Sequence, residues 1–563
     1  MYEFHIVDAL EKVFPDTRPR PMAHSHITSL QGGKVSFQLA YFLSSDADAD
    51  PSQYFTLSLT GAPGAFRLRD VQLVPSDLPA LSQRDTGYLR TDPSLYPDLL
   101  TPSDGTFRPI AGQWRSIFVD LKVPEQASGD FSLVLEIVPQ ETLTLGNGQV
   151  VNKRPSVQGW KTALSLTVVP ALLPRQELLV TQWFHADCLA NYYGCAVFSE
   201  QYWDILASFI RFAGKEARMN MLLTPVFTPP LDTVVGGERT TVQLVGISKS
   251  GETYQFSWDN LRRWCALCRD AGISHLEIAH LFTQWGAQYT PKIMVKVDGK
   301  EQQLFGWHVA ATDPSYRSFL EAFLPALIAV LKEEGYDRDQ LRFHISDEPN
   351  LEQLPDYLLA KKQVADLLEG YTIMDALSNY EFYEQGVVEH PVPANDHIGP
   401  FLENKVPNLW VYYCVAQSVD VPNRFFSMPS SRNRIMGILM YLYAIEGFLH
   451  WGYNFYNSQY SRTAINPYQV TDCGKAFPSG DAFIVYPGEG GTVYSSLRNE
   501  VQTDGFEDMQ CLSLLEKLTS RSFVVSLIHE GLSYQLQFNR YPLDSSYLLR
   551  VRERCLEEIA KRC

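Results

Sequence analysis

Short stretches of alternating apolar and polar residues dominate the first 172 residues of the chain. Alternation with a period of two is typical of half-buried β-strands, and Pro, Gly, Asp and Ser separate the stretches as turn residues do. Many short strands in succession pack most readily as two facing sheets, so residues 1–172 are predicted to form an N-terminal β-sandwich. The clearest predicted strands are Lys34–Phe42, Tyr54–Leu59, Trp114–Val123, Phe131–Val138 and Ala163–Val169.

From residue 176 to residue 455 the pattern changes to short apolar runs that alternate with helical stretches. Eight strands that alternate with helices over this length indicate a (β/α)8 TIM-like barrel, although the helix after the sixth strand is weak. The predicted strands are Glu177–His185, Met219–Phe227, His275–Phe282, Arg342–Ser346, Tyr371–Ser378, His397–Phe401, Leu409–Val415 and Gly447–Tyr453.

Two segments are too long for ordinary connections between a strand and a helix. Thr228–Ser257 follows the second predicted strand and Thr283–Thr312 follows the third, and both contain hairpin-like runs. Insertions at the carboxyl ends of barrel strands lie on the face that binds substrate, so we expect these segments to wall a pocket.

The last part of the chain has no barrel pattern. It contains a Gly- and Pro-rich stretch, strand-like runs at Ala482–Tyr486 and Ser522–His529, and terminal helices. The predicted fold is therefore a multidomain α/β protein. Its predicted domains are an N-terminal β-sandwich (1–172), a (β/α)8 catalytic barrel (176–455) and a small C-terminal α+β extension that packs on the barrel (456–563).

Composition narrows the classes of function. The chain has 563 residues and a formal net charge of −17, and an acidic surface repels phosphate backbones, so no nucleic-acid partner is expected. The longest apolar run, Ile435–Ile445, is far shorter than the roughly 20 residues that a membrane helix requires, so no membrane association is expected. Nine cysteines without framework spacing and an N-terminus without an apolar signal segment predict a cytoplasmic protein.

The sharpest local feature is the sequence FHISDEPN at residues 343–350. A predicted strand ends here in two adjacent carboxylates, Asp347 and Glu348, at the end where barrel enzymes carry catalytic groups. Neighbours within a regular strand face opposite sides, but this strand stops at the pair, so both side chains can reach one site. The alternative is that a carboxylate before Pro349 and Asn350 caps the next helix. Position in the predicted fold favours catalysis over capping.

Polar and aromatic side chains also gather at the ends of other predicted strands. Flat aromatic faces suit the C–H surfaces of sugars, and amides suit their hydroxyls. No cofactor and no metal is expected, because Cys265 and Cys268 lie within a helix without a second pair of ligands. The predicted substrate-binding residues are His185, Asp187, Gln284, Trp285, Asn379, Tyr412, Tyr413, Trp451, Tyr453 and Asn454.

Four sequence blocks, in this order, resemble one known family: FHISDEP, GFLHWGYNFYNS, GDAFIVYPG and SLRNEVQTDGFEDM. Over residues 176–520 the chain is similar to the domain-of-unknown-function family 4091, which includes glycoside hydrolase family 123 and in which an N-terminal β-sandwich is typical. The resemblance implies an exo-acting β-N-acetylgalactosaminidase that retains configuration by substrate-assisted catalysis through an oxazolinium intermediate. It carries the acidic pair of the family onto Asp347 and Glu348.

This resemblance suggests a role for each carboxylate. Glu348 would act as general acid and then as base, with a pKa raised by burial and by the neighbouring charge. Asp347 would accept the N–H of the sugar's acetamide and stabilise the oxazolinium charge. A hydroxyl from Tyr412 or Tyr413 would hold the acetamido oxygen in line for attack.

Two other functions stay open at this point. A retaining glycosidase of other specificity would keep Glu348 and take its nucleophile from another strand end, such as Asp187 or Asp375. A non-catalytic carbohydrate-binding protein would keep only the fold. For the favoured function, the expected partner is a small oligosaccharide or glycoside with a terminal 2-acetamido sugar. A homo-oligomer and the choice between galacto and gluco sugars are left open.

Overall fold

The computed structural model describes residues 1–45, 52–144, 150–152 and 157–563, which form a multidomain α/β protein with several sheets. The strands of the N-terminal part are β1 (Tyr2–Asp8), β2 (His26–Gln31), β3 (Lys34–Leu43), β4 (Phe55–Thr60), β5 (Phe66–Ser76), β6 (Ser94–Pro102), β7 (Thr106–Phe107), β8 (Trp114–Lys122), β9 (Gly129–Pro139), β10 (Thr142–Thr144), β11 (Val150–Asn152) and β12 (Trp160–Leu172).

Two of the N-terminal sheets enclose one apolar core. One sheet contains the run β1-β3-β8-β5-β6, and the other has the order β2-β12-β9-β4-β7. Phe37 of β3 and Val119 of β8 share a buried cluster with Leu135 of β9 and Leu166 of β12. The cause is the period of two along each strand, which turns every second side chain inward. The predicted sheet-rich N-terminal domain is confirmed.

The strands of the central part alternate with helices and with two inserted hairpins. They are β13 (Leu179–Gln182), β14 (Met221–Thr224), β15 (Gly246–Ser250), β16 (Thr253–Ser257), β17 (His275–Ile278), β18 (Ile293–Val297), β19 (Lys300–Phe305), β20 (Leu341–Phe343), β21 (Thr372–Ala376), β22 (His390–Val392), β23 (Trp410–Tyr412) and β24 (Gly447–His450).

Eight of these central strands pair in parallel within two sheets, which have the orders β14-β17-β20-β21-β22 and β13-β24-β23. Main-chain hydrogen bonds also link the edges of the two sheets. The N–H of Asn220, next to β14, donates to Val180 of β13 at 3.2 Å, and the N–H of Tyr412 in β23 donates to Pro393, just after β22, at 3.0 Å. The carboxyl ends of all eight strands therefore point to one face of the molecule.

The two inserted hairpins form one four-stranded sheet in the order β16-β15-β18-β19. The prediction of hairpins in Thr228–Ser257 and Thr283–Thr312 is confirmed. Both insertions follow the carboxyl ends of parallel strands, so they lie at the face where those strands end.

The helices are α1 (Ala186–Tyr193), α2 (Glu200–Lys215), α3 (Asp259–Ala271), α4 (Pro314–Glu333), α5 (Leu354–Lys362), α6 (Glu381–Glu384), α7 (Gly399–Glu403), α8 (Ser430–Leu442), α9 (Leu497–Leu518), α10 (Arg521–Ile528) and α11 (Ser545–Ala560). None of the helices in the described ranges combines the length with the apolar character that crossing a bilayer requires.

Two predicted strands are wrong, and of a third, Ala482–Tyr486, only Tyr486 lies in a strand. The sixth predicted strand, His397–Phe401, overlaps α7, and the strand at that place in the sheet is β22, whose sequence is only His-Pro-Val. The predicted strand Ser522–His529 is the helix α10, which Ser520 caps by accepting a hydrogen bond from the N–H of Phe523. A short apolar run fits both periods, and the cap decides for the helix.

The C-terminal extension joins the N-terminal sheet. Its strands β25 (Tyr486–Pro487) and β26 (Val493–Ser496) extend the sheet beyond β6, with Ser495 opposite Leu100 in antiparallel register. Beside this seam the buried guanidinium of Arg498 lies 2.8 Å from Asp98. The extension is therefore joined to the N-terminal sheet by both strand pairing and a buried ion pair, a contact that the predicted packing on the barrel did not include.

Helices α8 and α9 approach each other so closely that only glycine fits at the crossing. A Cβ atom on Gly437 of α8 would lie 1.9 Å from the carbonyl oxygen of Gly505 in α9. Nearly every residue of α8 is buried, so the neighbouring chain has no free space into which it can move.

We predict that Gly437→Ala lowers the free energy of unfolding by about 3 kcal/mol, because the added methyl group forces the two helices apart. Gly399→Ala is the matched control, since nothing lies within 4 Å of the position that its Cβ would take. Urea unfolding followed by circular dichroism measures both variants. Equal midpoints for the two variants would mean that the crossing is not tightly packed.

Candidate active site

A cavity of about 180 Å³ opens at the carboxyl ends of the parallel strands, and we call it the carboxylate cavity. A larger cavity of about 670 Å³ lies beside the inserted sheet, but its only charged lining residues are Lys296 and Glu301. The smaller cavity contains the acidic pair together with several aromatic side chains. Its lining includes Trp183, Asp232, Gln284, Trp285, Asp347, Glu348, Tyr412, Cys414, Trp451, Gln459, Tyr460 and Phe477.

Asp347 and Glu348 both line this cavity although they are adjacent in sequence. The chain leaves β20, and Glu348 adopts a left-handed backbone conformation with φ of 43°, which ends the alternation of a strand. Neighbouring segments hold this turn, since the N–H of Glu348 donates to Ala376 at 3.0 Å and the N–H of Trp285 donates to the carbonyl of Asp347 at 3.1 Å. The turn therefore brings both carboxylates to one space.

Neither carboxylate caps the following helical turn. That position is taken by Asn350, whose side-chain oxygen accepts from the N–H of Gln353 at 3.1 Å. The capping alternative for the acidic pair is therefore wrong, and both carboxylates are available for a ligand.

The two carboxylates differ in their partners. The hydroxyl of Tyr412 donates to Oε1 of Glu348 at 2.6 Å, and Sγ of Cys414 lies 3.9 Å from the same oxygen. Among the described residues, no side chain forms a hydrogen bond with the carboxylate of Asp347, which lies partly exposed to the cavity. Asp347 therefore has free acceptor capacity, and one oxygen of Glu348 is already fixed.

Burial raises the pKa of both carboxyl groups. For Asp347 the negative charge of Glu348 adds to burial and raises the pKa well above the ordinary value, against the opposing charge of His344. For Glu348 the hydrogen bond from Tyr412 opposes burial and lowers the pKa again in part. The Glu348 side chain is in contact with water inside the cavity. The pKa of Glu348 is raised because the surrounding protein atoms partly desolvate the carboxylate, not because water is excluded completely.

A buried ionic network lies beneath the pair. Nε2 of His344 lies 2.7 Å from Glu277, and Nδ1 lies 3.2 Å from Asp375, with all three side chains inaccessible to solvent. Burial alone would lower the pKa of His344, but its hydrogen bonds to the two carboxylates and their charges raise it to about 10. The imidazole is therefore positively charged at neutral pH, three residues before Asp347.

The network also positions one aromatic wall of the cavity and the main chain that leads to Asp347 and Glu348. Trp183 donates its Nε1–H to Glu277 at 2.7 Å, which fixes one aromatic wall. Asp375 accepts from the main-chain N–H groups of Ile345 and Ser346 at 3.1 and 3.3 Å. A second aromatic wall, Trp451, is held by a 3.0 Å hydrogen bond to Asp481.

Six of the residues that the sequence predicted for the site line the carboxylate cavity together. They are Asp347, Glu348, Gln284, Trp285, Tyr412 and Trp451.

Six predicted residues do not line it, and each has another place in the fold. His185 and Asp187 are buried against Arg239, whose guanidinium lies 2.7 Å from Asp187. Asn454 bonds the main chain of His185 at 2.8 Å, and Tyr453 bonds the carbonyl of Phe209 at 3.1 Å. These four therefore belong to packing behind the wall.

Tyr413 and Asn379 are the other two. The hydroxyl of Tyr413 reaches Asn433 of α8 at 3.3 Å, because neighbours in a strand face opposite sides and Tyr412 takes the inward side. Asn379 lies half-buried before α6, where its carbonyl accepts from Phe382 at 3.3 Å. The substrate-binding role predicted for these six residues has no geometric support.

Several lining residues were missing from the predicted set, among them Asp232, Gln459, Tyr460 and Phe477. Asp232 lies in the insertion after β14, and the other three lie in the segment after β24. Loop residues carry no periodic signal, so only their position after strand ends could have indicated them.

The chain matches one family model and the whole length of one solved structure. Residues 183–515, more than half of the chain, match the family model described as glycoside hydrolase 123, catalytic domain. A solved family 123 glycoside hydrolase from Clostridium perfringens, studied for glycolipid glycan hydrolysis, superposes with a TM-score of 0.74 at 15% identity, covering 100% of this chain and 99% of that one. No curated protein matches the chain.

Two other solved structures are much less similar. The xylanase 10B modules of Clostridium thermocellum give a TM-score of 0.30 at 10% identity, covering 89% of this chain and 94% of that one. A chitinase domain from Pyrococcus furiosus gives 0.28 at 10% identity, covering 59% and 96%.

The match over residues 183–515 identifies the chain as a glycoside hydrolase. It belongs to glycoside hydrolase family 123, and the full-length likeness to the clostridial enzyme shows that the two share a fold.

We predict that His344→Asn lowers the free energy of unfolding by about 3–5 kcal/mol at pH 7, because it leaves two buried carboxylates without their cation. His397→Asn is the matched control, since that exposed imidazole pairs with Asp396 at the surface. Urea unfolding of both variants measures the difference.

The same comparison has a definite pH dependence. A pKa raised to about 10 in the folded protein means that the contribution of His344 is complete below its ordinary value of 6.5 and is lost as the pH rises toward 10. The stability gap between parent and His344→Asn should therefore narrow from pH 7 to pH 10. A gap that is constant over this range would show that the imidazole is neutral.

Proposed function

We propose that the protein is an exo-acting β-N-acetylgalactosaminidase that cleaves with retention by substrate-assisted catalysis. The observation that carries the proposal is the acidic pair in the carboxylate cavity, where Glu348 is held by Tyr412 and Asp347 has free acceptor capacity. Enzymes with a carboxylate nucleophile need two separated carboxylates across the sugar, whereas an adjacent pair suits a reaction in which the sugar supplies the nucleophile.

In the proposed reaction Glu348 protonates the glycosidic oxygen while the acetamido oxygen of the sugar attacks C1. The C1–O bond to the leaving group breaks, and a bicyclic oxazolinium ion forms. Asp347 accepts the hydrogen bond of the acetamide N–H and stabilises the positive charge. Glu348 then removes a proton from water, which attacks C1, reopens the ring and restores the acetamide with net retention.

Tyr412 has two partners in this proposal. In the free protein its hydroxyl donates to Glu348 at 2.6 Å, and with substrate bound it turns to the acetamido oxygen. Trp451, Trp183 and Trp285 provide the apolar faces against the sugar ring.

The retaining glycosidase of other specificity is not supported by the two nucleophiles first considered for it, Asp187 and Asp375. Asp187 forms a buried ion pair with Arg239, and Asp375 lies under the site in the hydrogen-bond network of His344. Neither carboxylate lines the carboxylate cavity. This placement favours the sugar's own amide as the nucleophile.

The barrel and the substrate class belong to the same proposal. The order of the eight parallel strands and the main-chain bonds that link the two sheets support a closed (β/α)8 barrel. A terminal 2-acetamido sugar on a small oligosaccharide or glycoside is the proposed substrate, in line with the glycolipid glycans named for the clostridial relative. Nine free thiols and no disulfide among them support a reducing, cytoplasmic compartment.

We predict that Glu348→Gln lowers kcat/KM about 10²–10⁴-fold on N-acetylgalactosaminides with poor leaving groups, because proton donation is lost. Activated aryl glycosides need little protonation and should lose much less. Asp347→Ala should lower kcat/KM even for activated substrates, since it removes the group that orients the acetamide. Glu352→Gln, an exposed neighbour in the same segment, is the control and should keep the parent rate.

A thiazoline that mimics the cyclised intermediate distinguishes substrate-assisted catalysis from a retaining glycosidase that uses a carboxylate nucleophile. The parent should bind it far more tightly than the product sugar, and Asp347→Ala should lose that advantage. Equal rates for all variants, or no inhibition of the parent by the thiazoline, would contradict substrate assistance.

We predict that Tyr412→Phe moves the alkaline limb of the kcat/KM profile to higher pH. The hydrogen bond from Tyr412 lowers the pKa of Glu348, so its removal raises that pKa and keeps the acid protonated at higher pH. Tyr413→Phe is the control, because its hydroxyl faces α8. A limb that stays in place, or moves to lower pH, would argue that another group is the acid.

A further inference from the structure

A third carboxylate, Asp232, lines the carboxylate cavity from the insertion after β14. Its Oδ2 accepts from the main-chain N–H of Tyr460 at 2.9 Å. Among the described residues, no hydrogen-bond donor reaches Oδ1. Asp232 therefore presents one oxygen that is fixed and one that is available to a ligand.

The loops that hold Asp232 are strained. Asp232 has a φ of 38°, and Tyr460 and Ser461 have φ of 59° and 53°, all in the left-handed region that non-glycine residues avoid. The hydroxyl of Ser461 donates to the carbonyl of Asp232 at 2.8 Å, which ties the two loops a second time. Strain of this kind persists where the surroundings over-determine a position, and it clusters at ligand sites.

Within the described ranges of the chain, no cationic side chain forms an ion pair with Asp232. Arg239, whose charge acts on Asp232, is paired with Asp187 and donates to the carbonyl of Leu231 on this loop. Burial raises the pKa of Asp232 to about 6, and the hydrogen bond from Tyr460 and the charge of Arg239 oppose that rise. At neutral pH an anionic acceptor thus faces the same space as Asp347 and Glu348.

The three carboxylates can divide the sugar between them. In the proposed function Glu348 serves the glycosidic oxygen at C1 and Asp347 serves the acetamide at C2. The hydroxyls of the sugar at C3, C4 and C6 are then without a partner. A carboxylate that has a free oxygen is the strongest neutral-pH acceptor for such hydroxyls.

We propose that Asp232 is a specificity-determining residue that accepts a hydrogen bond from a ring hydroxyl outside the C1–C2 edge of the bound sugar. This inference rests on the proposed function for its division of roles. The hydrogen bond from the N–H of Tyr460 then fixes the direction of the carboxylate toward the sugar ring. This direction determines which sugar configuration can bind.

The experiment is a thermodynamic cycle between the side chain and the substrate. Aryl glycosides that lack the hydroxyl at C3, C4 or C6 are compared with the full sugar in the parent and in Asp232→Ala. In the parent, loss of the contacted hydroxyl should lower kcat/KM about tenfold to a hundredfold. In Asp232→Ala the same loss should cost little, because the partner is already gone.

Two further variants serve as controls for folding and for the loss of a carboxylate elsewhere in the insertion. Asp232→Asn keeps the oxygen that accepts from Tyr460, so it should fold and retain more activity than Asp232→Ala. Glu238→Gln removes an exposed carboxylate from the same insertion and should leave every substrate ratio unchanged. Thermal unfolding of each variant separates a loss of fold from a loss of contact.

Two outcomes would overturn the proposal. If all three deoxy substrates lose activity by the same factor in parent and variant, Asp232 contacts none of the hydroxyls. If Asp232→Ala instead lowers kcat about a thousandfold on activated aryl glycosides, and a glycosyl-enzyme accumulates only with Asp232 present, then Asp232 is a nucleophile.

Failure of the proposed function is a separate result. Absence of thiazoline inhibition in the parent would contradict substrate assistance and leave the hydroxyl cycle intact, because the cycle can be run with any aryl glycoside that the parent cleaves.

Discussion

The imidazolium of His344 between Glu277 and Asp375 is the interaction on which the site depends. Glu277 lies in β17, Asp375 lies in β21 and His344 directly follows β20, which is the strand between them, and none of the three side chains reaches solvent. Two anions and one cation in such a place stabilise each other only if all three are present. The strands are therefore fixed in one relative position, and the chain from His344 to Asp347 leaves the network with little freedom.

A second constraint acts on the rim of the carboxylate cavity. Four of its lining residues have left-handed backbones although none is glycine: Asp232, Trp285, Glu348 and Tyr460. Each such residue costs on the order of 1–3 kcal/mol, which the surrounding structure must offset. Main-chain bonds between the loops do so, as in the contact of the Trp285 N–H with Asp347. The backbone strain is therefore concentrated at the positions that direct side chains into the carboxylate cavity.

The sequence predicts the centre of the site better than its edge. Asp347 and Glu348 stand at the end of an apolar run, so position alone indicated them. The choice between Tyr412 and Tyr413 needed the direction of one strand, because a shift of one residue exchanges the two faces. Asp232 and Tyr460 lie in irregular loops, where neither period nor spacing predicts what the chain brings together.

The errors in the fold have equally local causes. Strand β22 is three residues long and contains a proline, so it has no period to detect, and the prediction moved to the apolar residues just beyond it. His185 and Asp187 follow a strand as predicted, but α1 begins at Ala186 and turns them toward Arg239, a partner 52 residues beyond Asp187 that no local pattern reveals.

The pairing of β26 with β6 has a consequence for biosynthesis. Residues near position 100 leave the ribosome long before residues near position 495, so the first domain emerges with an open sheet edge that stays uncovered until almost the whole polypeptide is made. The sheet of that domain is consequently complete only after the strand near residue 495 has been synthesised, because its strands come from both ends of the chain.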